Sequence, residues 1–194
     1  MGFDGLLQNG RWTTAPVRSE LDGDVLRVEA HEGSDTWRVT SYGFVHDTEH
    51  ALLEPFGTEE AVEVSFVLDF TAQFDQAGVF LRVSATEWIK AGVELSDGVP
   101  QVGAVVTHGH SDWSVAPVPE WLGRVVTVRA SRSGDAVTVR AKAAGEPFRL
   151  VRVAHLDAGA EVSAGLFCCA PTRAGFEVAY TGYSRGPADA SLHP

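Results

Sequence analysis

The chain has 194 residues, of which 44% are hydrophobic and 21% are charged, and this composition is typical of a globular domain. Its 26 acidic and 15 basic residues give a net charge of −11, and such an acidic surface repels phosphate backbones and anionic lipid. We therefore expect no nucleic acid and no membrane surface as a partner. The sequence shows no secretory signal and no apolar stretch of about 18 residues, so it predicts a cytoplasmic protein without a membrane span.

Short segments in which apolar and polar residues alternate recur about every ten residues, separated by Gly, Asp, Ser and Pro. This spacing predicts an all-β fold, a sandwich or a barrel, formed as a single domain over residues 1–194. No helix of three turns is predicted, and the polar tail over residues 185–194 is expected to fray. The predicted strands are 25–30, 62–70, 76–83, 88–95, 103–107, 125–131, 136–142, 148–155, 162–168 and 176–183.

Cys168 and Cys169 are the only cysteines. Neighbouring residues on a strand point to opposite faces, so a disulfide between them is geometrically disfavoured. The sequence favours two buried thiols in a reducing compartment over a reactive thiol, because no basic group lies nearby to activate one.

Two consecutive predicted strands, 76–83 and 88–95, each have one plain apolar face and one mixed face. If they form a hairpin with Arg82 opposite Trp88, Phe80 lies opposite Lys90 and Gln76 opposite Glu94, because side chains alternate strictly. The mixed faces then join into one surface. Its residues are Gln76, Gly78, Phe80, Arg82, Trp88, Lys90, Gly92 and Glu94.

Aromatic rings beside hydrogen-bonding groups suit a sugar-like or other polar ligand, and the two glycines remove side chains where a ligand could approach the backbone. The alternative is that Arg82, Lys90 and Glu94 only form ion pairs across the strands. Trp113 and Tyr42 are further candidates for aromatic contacts with a ligand.

Several segments, taken in order, resemble the domain-of-unknown-function family 1349, over about residues 12 to 183. The resemblance implies a concanavalin A-like jelly roll of two antiparallel sheets. It implies no established reaction, although the fungal branch of the family is linked to enolase regulation. One departure is Glu49, at a position where the family tends to have glycine. The segments are SDTWRVTSYGF (34–44), FDQAGV (74–79), EWIKAGVE (87–94), VVT (105–107), SDWS (111–114), Arg129 and GDAV (134–137).

The run from His46 to His50 fits the zinc-binding pattern H-x-x-E-H, which needs both histidines on one face of a helix. It follows a strand-like segment and soon meets Pro55, so no such helix is predicted. A weaker divalent site using His46, Asp47 and His50 stays open, but neither a metal nor a cofactor is our prediction.

Paired carboxylates for glycoside hydrolysis would have to face each other across one cleft. Glu94, Asp75, Asp112 and Glu177 are possible members, but the E-x-D-x-x-E run usual in the glucanases of this fold is absent. The segment 111–114 lacks a nucleophile-elbow motif and is interpreted as a loop.

The sequence therefore predicts a module that binds a saccharide or a small polar metabolite. The alternative is a protein-interaction or regulatory domain, with a homodimer as one form, and an enzyme is the third choice. The predicted ligand-binding residues are Gln76, Arg82, Trp88, Lys90 and Glu94, with a rim of Tyr42, His46, Asp112 and Trp113.

Overall fold

The structure is a computed structural model that describes residues 2–193. In this part of the chain no helix is long and apolar enough to cross a membrane. A 3-10 helix spans Pro119–Trp121. The other elements are α1 (Phe3–Asn9), β1 (Arg11–Trp12), β2 (Arg18–Asp22), β3 (Val25–Ala30), β4 (Thr36–Arg38), β5 (Val45–Asp47), β6 (His50–Phe56), β7 (Glu60–Val67), β8 (Gln76–Arg82), β9 (Glu87–Ser96), β10 (Val99–His108), β11 (His110–Pro117), β12 (Val125–Ser133), β13 (Ala136–Ala143), β14 (Arg149–His155), β15 (Val162–Cys169) and β16 (Phe176–Pro187).

The strands form two seven-stranded sheets and one separate hairpin. The first sheet has the order β1-β6-β15-β8-β9-β10-β11, and the second has the order β14-β13-β12-β7-β16-β3-β2. Neighbours within both sheets run antiparallel. The expected concanavalin A-like sandwich of two antiparallel sheets is confirmed.

The main core lies between the sheets, because each strand places alternate apolar side chains on its inner face. Val79 and Ile89 of the first sheet and Val64 and Phe66 of the second are all fully or almost fully buried there. Removing these side chains from water is the main driving force that holds the two sheets together.

The first sheet also has a partly covered outer face, which points away from the second sheet. A second apolar cluster lies on this face, and Trp37 packs against it. We call it the outer cluster. It consists of Ala51, Leu53, Phe80, Trp88, Val105, Phe167 and Cys169.

The hairpin formed by β4 and β5 lies over the outer face and is fixed by a hydrogen bond at each end of β4. The amide of Arg38 donates to the Ser111 hydroxyl on β11 (2.9 Å), and the Thr48 amide donates to the Asp35 carbonyl (2.9 Å). Val39 and Ser41 have φ values of 61° and 66°, a left-handed conformation that makes the turn at the hairpin tip tight.

Two sequence predictions about local structure are wrong. Residues 111–114, interpreted as a loop, belong to edge strand β11, whose exposed position leaves it without an alternating apolar pattern. The tail does not fray from Arg185, because β16 continues to Pro187 beside β7. Beyond that strand, the Asp189 carboxylate pairs with Arg129 at 2.8 Å and also contacts Arg140.

Candidate functional site

The predicted pairing of β8 with β9 is present in the structure. Arg82 lies opposite Trp88, Phe80 opposite Lys90, and Gln76 opposite Glu94. The mixed residues therefore share the outer face, as strict alternation requires.

A network of three side chains forms the polar base of the site. The Lys90 ammonium donates to Oε1 of Gln76 at 2.7 Å and lies 3.5 Å from Oδ1 of Asp35. The Gln76 amide donates to the same Asp35 oxygen (3.3 Å) and to the carbonyl of Phe74 (3.2 Å). Asp35, immediately before β4, thereby joins the hairpin to β8 and β9.

Aromatic rings form the walls above this base. Trp37 packs edge-on against Trp113, with ring centroids 6.4 Å apart and planes at 87°. Trp37 also meets Tyr42 at 5.7 Å and 70°, and Tyr42 stacks on Phe44 at 5.2 Å. The hairpin and the edge strand β11 thus present rings at nearly right angles to one another.

The base and the walls enclose a cavity of about 230 Å³. A crevice of about 20 Å³ extends from it along β9 and β10. The volume is below the roughly 300–1,000 Å³ of drug-sized sites, which favours a small ligand. The lining residues are Asp35, Trp37, Tyr42, Phe44, Phe74, Gln76, Lys90, Glu94, Val105 and Trp113.

The charged groups of the cavity shift one another's pKa values. Burial raises the pKa of Glu94 to about 7, Lys90 lowers it in part, and Asp35 raises it further. Burial alone would lower the pKa of Lys90, but the carboxylates of Asp35 and Glu94 outweigh burial and the pKa is raised. Lys90 is therefore charged at neutral pH, while Glu94 is close to half ionised.

Phe74 reaches the cavity through an uncommon backbone conformation, with φ of 67°. The loop is held by the fully buried Asp75, which accepts hydrogen bonds from the amides of Thr71 (3.1 Å) and Ala72 (3.0 Å). The Arg173 guanidinium binds the same carboxylate at 2.7 Å. Asp75 is thus occupied in holding the loop and does not face the cavity.

Four of the predicted site residues lie outside the cavity lining. Arg82 pairs with the buried Glu49 at 2.8 Å. Trp88 is 2% exposed and stacks on Phe80 within the outer cluster. His46 packs edge-on against Phe44 and is not among the residues that line the cavity.

Asp112, the fourth of these residues, is an exposed partner of Arg152 at 3.2 Å. Glu177, a possible catalytic carboxylate, lies on the second sheet, where it pairs with Arg18 (2.7 Å) and Arg27 (3.1 Å). Of the four possible catalytic carboxylates, only Glu94 lines the cavity, so the four cannot act together on one ligand.

The histidine run does not form a metal centre in this structure. His46 lies on β5 and His50 begins β6, so the two are on strands and not on one face of a helix. The ring of the fully buried His50 accepts a hydrogen bond from the His31 amide at 3.0 Å. Within residues 2–193, no three His, Cys, Asp or Glu side chains cluster as metal ligands.

The glycines of the outer face are required by the packing of the strands. A Cβ at Gly78 would lie 2.0 Å from the Ala91 carbonyl oxygen, and one at Gly92 would lie 2.0 Å from that of Ala77. Gly103, which pairs with Gly92, has a similar clash with β11. The packing of the strands is thus sufficient to explain these glycines, and the interpretation that they let a ligand approach the backbone stays a prediction.

Sequence reasoning missed several lining residues. Asp35 and Phe74 lie in connections outside the predicted strands, and Phe44 is on the hairpin turn. The available signal was the resemblance itself, because these residues fall within its quoted segments. Trp37, which also lines the cavity, lies within the quoted segment 34–44.

Comparison with known proteins gives the same fold. A family model described as "Protein of unknown function (DUF1349)" matches residues 12–187. A Saccharomyces cerevisiae protein named "Regulation of enolase protein 1" is 30% identical over 188 residues, covering 96% of this chain and 94% of that protein. A crystal structure of a functionally unknown protein from Saccharomyces cerevisiae has a TM-score of 0.88 at 28% identity, covering 95% of this chain and 99% of that one.

A more distant structure is the xylan beta-1,4-xylosidase from Bacillus halodurans C-125. Its TM-score is 0.67 at 14% identity, and the match covers 83% of this chain and 32% of that chain. A likeness at this identity shows only that part of the xylosidase has the same fold. The family model covers residues 12–187, and the yeast relative is 30% identical over 96% of this chain. Together these two matches show that the chain belongs to the DUF1349 family of proteins of unknown function.

Proposed function

We propose that the chain is a ligand-binding module whose cavity on the outer face takes a saccharide or a similarly small polar metabolite. The observation that carries this proposal is the enclosure of Lys90, Gln76 and Asp35 at the base of a cavity with aromatic walls. Such a combination of apolar rings and a few convergent polar groups is typical of small-molecule sites.

Each part of the cavity has a role in this proposal. The faces of Trp113 and Tyr42 stack on the C–H faces of the ligand, as aromatic rings do with sugars. Glu94 and Asp35 accept hydrogen bonds from ligand hydroxyls. Lys90 holds Gln76 and Asp35 in place, so that the base is ordered before the ligand arrives.

We further propose that the protein resides in a reducing compartment such as the cytoplasm. Cys168 faces the main core and Cys169 faces the outer cluster, and both are fully buried free thiols. Adjacent strand residues cannot form a disulfide here, and such thiols persist where the surroundings are reducing.

Titration calorimetry and thermal unfolding against a panel of mono- and disaccharides and small polar metabolites test the proposal. We expect a ligand that raises the melting temperature of the wild type, and about tenfold weaker binding by Trp113→Ala, which removes one wall. Leu150→Ala removes an exposed apolar side chain from the second sheet and is the matched control. Unchanged affinity in folded Trp113→Ala would refute this site.

A second candidate function is a regulatory interaction with another protein. Tyr42, Phe44 and Val45 at the hairpin tip are 60%, 42% and 46% exposed, which is unusual for adjacent apolar residues. The printed name of the yeast relative, "Regulation of enolase protein 1", makes enolase the first partner to test.

Biolayer interferometry with a purified enolase tests this second candidate. Binding by the wild type that is lost in Tyr42→Ser/Phe44→Ser would support it, with Leu150→Ala as the control. Sedimentation of the chain alone tests the predicted homodimer, which would bring exposed surfaces of two copies together. A single monomeric species at micromolar concentration would contradict the dimer.

A further inference from the structure

The hydrogen-bond donors at the base of the cavity are nearly all used within the protein. Both amide hydrogens of Gln76 are donated, one to Asp35 and one to the Phe74 carbonyl. The Gln76 oxygen accepts from Lys90, whose ammonium also faces Asp35. The base therefore offers few donors to a ligand.

The free polar atoms of the cavity are carboxylate oxygens. Asp35 receives its three donors on Oδ1, so its Oδ2 has no protein partner among residues 2–193. Glu94 lines the cavity, and within the same part of the chain neither of its oxygens accepts a hydrogen bond. A ligand that matches this cavity has to bring donors or positive charge.

The aromatic walls of the cavity also favour a ligand that carries positive charge. Rings of Trp37, Trp113 and Tyr42 meet at angles of 87° and 70°, so they surround a ligand from more than one side. The faces of aromatic rings attract cations, and recognition of ammonium groups by aromatic cages is a recurrent use of this attraction.

We propose that the ligand of this cavity carries an ammonium group, which lies between the aromatic rings and pairs with the carboxylates of Glu94 and Asp35. This inference rests on the proposed function and narrows its ligand class to amino sugars and other small organic cations. The positive charge of Lys90 at the base opposes that of the ligand, but Asp35 and the ionised form of Glu94 bring two negative charges to the cavity against this one.

A bound cation also changes the protonation of Glu94. The groups that face Glu94 are Lys90 on its own strand, Asp35 before β4, and the uncharged Gln76 and Gln101 on the strands at either side. With a pKa of about 7 in the free protein, Glu94 is close to half protonated at neutral pH, and a neighbouring cation drives its proton off. Binding is therefore accompanied by release of a fraction of a proton.

The test is titration calorimetry at pH 7 with three probes. Glucosamine and glucose differ by an ammonium group in place of one hydroxyl, and choline carries an ammonium without a sugar. We expect glucosamine or choline to bind about tenfold more tightly than glucose, as a cation between rings would. We also expect net proton release when the titration is repeated in buffers of different ionisation enthalpy.

Glu94→Gln keeps the shape of the side chain and removes its charge. It should weaken binding of the ammonium probe several-fold and abolish the proton release. Glu20→Gln removes an equal charge from an exposed position on the second sheet and should leave both unchanged. Melting curves confirm that both variants are folded.

The outcomes separate this inference from the proposed function. If glucose binds as tightly as both ammonium probes, the inference is overturned while the proposed function stands. If a neutral saccharide binds and neither ammonium probe does, the inference is also overturned and the proposed function stands. If no saccharide and no ammonium probe binds, both fail. Ammonium binding that Glu94→Gln leaves intact, with no proton release, also overturns the inference.

Discussion

The ammonium group of Lys90 and the amide of Gln76 meet across two neighbouring strands, with Nζ of Lys90 2.7 Å from Oε1 of Gln76. Both side chains are buried, Lys90 at 6% and Gln76 at 3% exposure. A buried lysine without partners would be strongly destabilising, so this contact and the nearby Asp35 carboxylate are needed to keep its charge in the fold. The contact also fixes the base on which a ligand would rest.

Replacing Lys90 by methionine should destabilise the fold. The change keeps most of the length of the side chain but leaves Oε1 of Gln76 and Asp35 without their charged donor, at a cost of about 2 to 3 kcal/mol. Urea unfolding measures the difference in the free energy of unfolding. Lys142→Met is the matched control, because Lys142 only lies over the Phe148 ring and should change stability by less than about 1 kcal/mol. A Lys90→Met protein as stable as the wild type would show that the network contributes little.

Glu94 should make stability depend on pH. Because its pKa in the folded protein is about 7 and its ordinary value is 4.5, the folded state binds more protons than the unfolded state between these limits. Its contribution to stability therefore falls as pH rises from about 4.5 to about 7, by about 2 to 3 kcal/mol. Glu94→Gln mimics the protonated form, so it should be more stable than the wild type at pH 8 and similar to it near pH 4. Urea unfolding of both proteins at the two pH values checks this, and a parallel pH dependence would contradict it.

The glycine contact between β8 and β9 should be sensitive to a single methyl group. A Cβ at Gly92 would lie 2.0 Å from the backbone oxygen of Ala77, so Gly92→Ala has to push the two strands apart. We expect a loss of about 2 kcal/mol or more, in the range of overpacked sites. Gly186→Ala is the control, since nothing lies within 4 Å of its added Cβ. Equal melting temperatures for the two variants would mean that the strands have room to separate.

The two cysteines should not react in the folded protein. Burial raises the pKa of Cys168 to about 12 and also raises that of Cys169, so neither forms a thiolate at neutral pH. A thiol-specific chromogenic reagent should detect no fast-reacting thiol in buffer and both thiols in urea. Rapid labelling of either cysteine without denaturant would show that its side of the sheet opens readily.

The pairing of β8 with β9 was predictable from the sequence because both strands have an unbroken alternation over several residues. The fold class was predictable for the same reason, with the resemblance supporting it. Edge strand β11 was missed because exposure on both faces removes the alternation that marks a strand. The tail was misjudged because the partners of Asp189, Arg129 and Arg140, are distant in sequence.

The cavity could be predicted only in part. Gln76, Lys90 and Glu94 lie on regular strands, and the alternation of side chains along each strand places them on one face. Asp35 arrives through a connection that local periodicity does not describe. Trp88 shares the face with Lys90 but is buried within the outer cluster. The outer face is partly covered, and the alternation of side chains along a strand cannot show which part of the face is covered.

The position of the ligand is tested by observing the five tryptophan indole N–H signals of 15N-labelled protein during titration with a ligand that binds. Trp37 and Trp113 line the cavity, whereas Trp121 is fully buried in the main core and Trp12 lies on β1. A ligand from the panel should shift the signals of Trp37 and Trp113 and leave those of Trp12 and Trp121 in place. A ligand that binds and shifts Trp12 or Trp121, while Trp37 and Trp113 stay unchanged, would contradict the assignment of the site to this cavity.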